Sequence, residues 1–222
     1  MTVGGAEVVL VHGAFNELWG PNELKARWLP AVRDGLWHHG ATVADDAVAV
    51  CFYGDLFRRD PEADDPEAYE QTRAGIAEVL SNLGDGLGLE ALSQAASDAA
   101  FDRTVDMVAT MTTVPDLRER VWARIDAVVG PDTRVLVGHS LGSVVAYNAL
   151  RRNPDWSVDT LVTLGSPLGQ EVVRSQLDPP LSPSGGDGWP GSVRRWVNVA
   201  AIGDRAAAVH RLAPLSAERI ED

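Results

Sequence analysis

Short apolar runs and amphipathic stretches alternate along this chain. Val8-Val9-Leu10-Val11 is a continuous, mostly β-branched run that stops at His12-Gly13, the pattern of a buried strand feeding a tight loop. Leu24, Trp28, Leu29, Val32 and Leu36 then recur at helical spacing and predict a helix over about 20–39. Pro21 suits its first turn, whereas Pro30 falls inside the pattern and predicts a kink or a split. A second buried strand is expected at 47–53, a third at 133–137, a fourth at 159–164 and a fifth at 195–200. Helical patterns fill 116–129 and 141–152, the second closed by Asn153-Pro154. Strands alternating with helices imply an α/β fold, a mostly parallel sheet with helices on both faces.

The pattern is less regular elsewhere. Residues 58–68 are polar, acidic and proline-bearing, and read as a loop. A mostly helical insertion follows to about 128, broken at Gly84-Asp85-Gly86-Leu87-Gly88. Its piece around 84–112 is rich in small residues and fits either a lid helix or a helix packed on the sheet. Residues 178–192, with four prolines and four glycines, read as a loop. The ending Ser216–Asp222 reads as helical and charged. No internal repeat is visible, and the 222 residues suit one α/β domain spanning 1–222.

Charge narrows the classes of partner. The formal net charge is −13. Phosphate binding runs on Lys and Arg, so the balance argues against nucleic acid and against anionic membranes. The first residues carry neither a basic region nor an apolar segment of a secretory leader. No stretch approaches the ~20 apolar residues of a membrane span. A cytoplasmic protein is the expectation. The single cysteine, Cys51, lies in the second apolar run and reads as core. No metal motif and no phosphate loop is present, and no cofactor is expected.

The chemistry concentrates at Val137-Gly138-His139-Ser140-Leu141-Gly142-Ser143. An apolar strand runs directly into an apolar helix through a turn with glycine at two positions. That context puts Ser140 at an exposed tip in a strained conformation, with the Leu141 N–H at the helix start facing a carbonyl under attack. His12-Gly13-Ala14-Phe15 follows its own buried strand and offers the Ala14 N–H as a second donor. His12 reads as a residue holding that loop.

These segments, with Leu161-Val162-Thr163-Leu164-Gly165-Ser166-Pro167 and the run Arg195–Val199 followed by Asp204, resemble the lipase and esterase branch of the α/β-hydrolase superfamily. The resemblance implies an ester hydrolase acting on a small-molecule acyl substrate. It makes Ser140 the nucleophile, Ala14 and Leu141 the oxyanion donors, and Asp204 the acid orienting a histidine. Asp204 also fits a simple helix cap. Ser166 should be a pocket or loop residue, because Pro167 breaks the helix that an elbow needs.

The base must follow the acid in this order of residues, and only His210 does. On one helix the two would face roughly 240° apart, so an irregular link is required. The alternative is that the sequence stops short of a last strand and its histidine. His38 and His39 read as the end of the first helix, and the His139 side chain is expected to point into the fold. An incomplete triad leaves a second class open, a catalytically degenerate domain serving as a binding module.

Overall fold

In the computed structural model, residues 5–14, 16–57, 106–107, 109–111, 113–177, 188–201, 210–213 and 219–222 are described. Five strands form the sheet: β1 Val8–Val11, β2 Val48–Cys51, β3 Val135–His139, β4 Thr160–Leu164 and β5 Arg195–Val199. The helices are α1 Pro21–His38, α2 Pro115–Asp126, α3 Leu141–Arg152 and the single turn α4 Glu171–Arg174. Every strand pair is parallel, in the order β2-β1-β3-β4-β5. The chain is therefore an α/β protein built on a parallel sheet.

Alternation along the strands assigns each face its helices. Leu10 and Val48 point to one side, where Leu29 and Trp28 of α1 cover them. Val9, Val11, Cys51, Leu136, Leu161 and Trp196 belong to the opposite side. There they pack with Leu117, Val121 and Ile125 of α2 and with Leu141, Val145 and Ala149 of α3. Both faces of β1 are thus covered, which is why its sequence is uniformly apolar. Cys51 is fully buried, and burial pushes its thiol up to about 12.

Pro30 does not divide α1, which runs through it as one element. Residues 26 and 30 are both exposed, so the helical bond that proline cannot make is lost on the solvent side, where its cost is smallest. The 84–112 piece is described only from Asp106. Met107, Ala109 and Met111 there are helical and buried in the main core, so this end of the piece is packed. Its remainder and the loop at 58–68 lie outside the described residues.

The ending departs from the helical expectation over residues 219–222. Glu221 forms a parallel bridge with Val197, its N–H donating to Trp196 O (2.9 Å) and its carbonyl accepting from Asn198 N (2.7 Å). The Arg195 guanidinium makes two bonds to the Glu221 carboxylate, at 2.9 and 2.8 Å. The open edge of β5 offers backbone partners that a helix could not use, and the ion pair fixes the register. No helix among the described residues is long and apolar enough to cross a membrane.

Candidate active site

Strand order reverses between β1 and β3. From β1 the chain moves outward to β2, and from β3 it moves the other way through β4 to β5. Loops leaving the carboxyl ends of β1 and β3 therefore diverge and leave a crevice, the usual ligand position in an open parallel sheet. The loop that begins at residues 12–14 and the one-residue turn at Ser140 are those two connections.

Ser140 stands at the start of α3 with φ 50° and ψ −124°. It is the only non-glycine among the described residues with positive φ. Such a conformation costs about 1–3 kcal/mol and persists only where the surroundings enforce it. Here they do. The Ser140 N–H donates to Leu164 O (2.8 Å), and the Ser140 carbonyl accepts from the Ser143 N–H (2.9 Å) and the Ser143 hydroxyl (2.6 Å). Ser143 Oγ is also bonded to Ser166 Oγ (2.7 Å), whose oxygen accepts the Leu168 N–H (3.3 Å). Ser166 is buried in this network, which commits its hydroxyl to the elbow.

The two elbow glycines are required by close approach. A Cβ at Gly142 would meet Val11 O at 2.2 Å and His12 O at 2.4 Å. One at Gly138 would meet Ser143 Cα at 2.5 Å. The turn thus presses α3 against both β1 and β3. The first loop touches the serine as well: a Cβ at Gly13 would lie 2.9 Å from Ser140 Cβ.

His12 is buried beneath this junction. Its Nε2 accepts the Tyr53 N–H (3.1 Å), so the proton sits on Nδ1, which donates to Gly13 O (2.7 Å). The Tyr53 ring stacks on the imidazole at 4.1 Å and its hydroxyl donates to His12 O. Burial lowers the His12 pKa to about 4, so the ring is neutral near pH 7 and both nitrogens are occupied. It holds the loop, as its place in the sequence suggests. Asn16 adds two donations from Nδ2, to Gly13 O and Ala14 O, each 3.0 Å.

Ala14 and Leu141 flank the serine from the two loops, and both side chains are buried. Among the described residues, neither backbone N–H has a hydrogen-bond partner. Among the described residues both donors are left for a ligand, and the amino end of α3 adds its positive dipole.

Asp204 lies outside the described residues. His210 is exposed, and its carbonyl accepts from Asn198 Nδ2 (2.8 Å). Gly138, Thr163 and Asn198 share one line of register across β3, β4 and β5. The His210 main chain is therefore tied to Asn198, which itself stands two strand spacings from Gly138, roughly 10 Å. Among the described residues, no hydrogen bond reaches either its ring or the Ser140 hydroxyl. His139 does not point into the fold. It is exposed, with its ring edge-on to Trp28 at 6.0 Å, because the tight turn leaves the residue before the serine on the outer side.

Asn16, Tyr53 and Ser143 were not legible as site residues. Their signal was weak: an Asn inside a Gly-bearing loop, a Tyr just past a strand and a Ser just past the elbow. A groove of about 550 Å³ lies along the outer edge of β2, lined by Trp19, Phe52, Asp55 and Arg124 among others, and includes none of the residues above. The chain matches no family model, no curated protein and no solved structure.

Proposed function

We propose that this chain is a serine hydrolase of α/β-hydrolase type that cleaves carboxylic esters through an acyl-enzyme on Ser140. The observation that carries the reading is the strained Ser140 at a strand–helix turn, with the Ala14 and Leu141 N–H groups in its two neighbouring segments unbonded among the described residues. Strain of this kind at a half-buried serine in a strand–helix turn is the conformation that presents a nucleophilic hydroxyl at the tip. The strand order, with both loops at its reversal, supports the same reading.

In this mechanism Ser140 Oγ attacks the ester carbonyl carbon and its proton passes to a histidine. The carbonyl oxygen becomes an alkoxide held by the Ala14 and Leu141 N–H groups. The alkoxide collapses, the C–O bond to the alcohol breaks, and the histidine returns the proton to the departing alcohol. Water then attacks the acyl-enzyme by the same route and releases the acid. His210 is the base in this reading and Asp204 its orienting acid. An ester is the substrate because the resemblance is to lipases and esterases.

A fluorophosphonate probe tests the proposal. The native chain should be labelled covalently, Ser140→Ala should abolish labelling, and His210→Ala should slow it. Absence of labelling in the folded chain would overturn the enzyme reading and leave the binding-module reading.

A further inference from the structure

The Ala14 and Leu141 N–H groups, unbonded among the described residues, belong to peptide units whose carbonyls are clamped from behind. A peptide unit is planar and trans, so its C=O and N–H point in opposite directions. Fixing the carbonyl therefore aims the N–H. For the Ala14 N–H the partner carbonyl is Gly13 O, which accepts from His12 Nδ1 (2.7 Å) and from Asn16 Nδ2 (3.0 Å). For the Leu141 N–H it is Ser140 O, which accepts from the Ser143 N–H (2.9 Å) and Ser143 Oγ (2.6 Å). Each unit has two donors on its carbonyl side and, among the described residues, none taking up its N–H.

We infer that Asn16 and Ser143 are positioning residues for an oxyanion site, each setting the direction of one backbone donor before substrate arrives. The inference rests on the serine-hydrolase reading and deepens it. Neither side chain touches the substrate. Asn16 acts through the Gly13–Ala14 peptide and Ser143 through the Ser140–Leu141 peptide. Asn16 has a second task, because its bond to Ala14 O (3.0 Å) also fixes the next peptide. The arrangement matters because donors that need no reorganisation supply most of the stabilisation of a developing oxyanion.

The two clamps differ in how they fail. Asn16 is half-buried on a loop, and its replacement leaves the core untouched. Ser143 is fully buried, and its hydroxyl also bonds Ser166. Ser143→Ala removes one oxygen and overpacks nothing.

The test uses the full chain with 4-nitrophenyl butyrate as substrate and an alkyl boronic acid as tetrahedral analogue. Asn16→Leu removes the donor, Asn16→Asp replaces it with an acceptor of the same shape, and Ser143→Ala removes the hydroxyl. Each variant should lower kcat about 10- to 100-fold, less than the roughly 100- to 1000-fold lost when one oxyanion donor is removed outright, with KM changed less than about twofold. The boronate Ki should rise in step with the fall in kcat/KM, since the analogue uses the oxyanion donors and the bound ester does not. A purely structural role would shift the urea midpoint and leave the boronate Ki in step with KM. Folded variants with wild-type kcat and boronate affinity would overturn the inference while the hydrolase reading stands. A wild-type chain that neither turns over the ester nor reacts with fluorophosphonate overturns both.

Discussion

Replacing Ser140 by glycine should stabilise the protein, whereas replacing it by alanine should not. Both changes delete the hydroxyl, so they differ only in the Cβ. At φ 50° and ψ −124° that Cβ is the source of the strain. Glycine adopts this region without penalty and should release about 1–3 kcal/mol. Its extra freedom in the unfolded chain takes back about 0.5–1 kcal/mol. The net expectation is that Ser140→Gly is more stable than Ser140→Ala by up to about 2.5 kcal/mol, with a centre of about 1.3 kcal/mol that corresponds to roughly 3–5 °C in Tm for a chain of this size. Urea denaturation followed by tryptophan fluorescence measures the difference directly, given equal m-values. Should the glycine variant prove no more stable than the alanine variant, Ser140 is not held in a strained conformation. The principal argument for its role would then fall with it.

Two further outcomes follow from the same junction. Gly142→Ala puts a methyl within 2.4 Å of the Val11 and His12 carbonyl oxygens, both backbone atoms, so α3 must retreat from β1. The expected loss is about 1–3 kcal/mol or more, with fluorophosphonate labelling reduced, and a wild-type urea midpoint would refute it. The buried, neutral His12 titrates near 4 in the folded state against 6.5 unfolded. Between those values the unfolded chain binds the extra proton, so stability is complete above about 6.5 and is lost progressively as pH falls toward 4, by up to about 3 kcal/mol. His12→Gln should flatten that part of the stability–pH curve relative to wild type, and parallel curves for the two proteins would refute the assignment.

Part of this site was open to reading from local pattern. The elbow at Gly138–Gly142 and the loop at His12–Ala14 each follow an apolar run, and such runs report burial directly. The strain at Ser140 and the glycines beside it follow from the abrupt passage from strand to helix, a matter of neighbours in the chain. The split expected at Pro30 does not occur, because sequence shows that a proline lacks an N–H but not that residues 26 and 30 lie on the exposed side of the helix. His139 misled for a similar reason, since facing is decided by how the turn sits against β1. The ending misled because a short charged segment takes its conformation from what it meets, here the free edge of β5 and the Arg195 guanidinium.

The five strands, the three longer helices, the parallel α/β class and the place of Ser140 between strand and helix could be read from the chain, because these depend on periodicity and on steric limits within a few residues. Tertiary structure alone decided which loops meet. The order β2-β1-β3-β4-β5 brings residues separated by more than a hundred positions to one edge. It sets the Gly13 backbone against Ser140, with hydrogen bonds from His12, Asn16 and Ser143 fixing the carbonyls on either side. Hydrogen bonds between distant backbone groups carry no residue signature, so strand order had to be seen before their partners could be named.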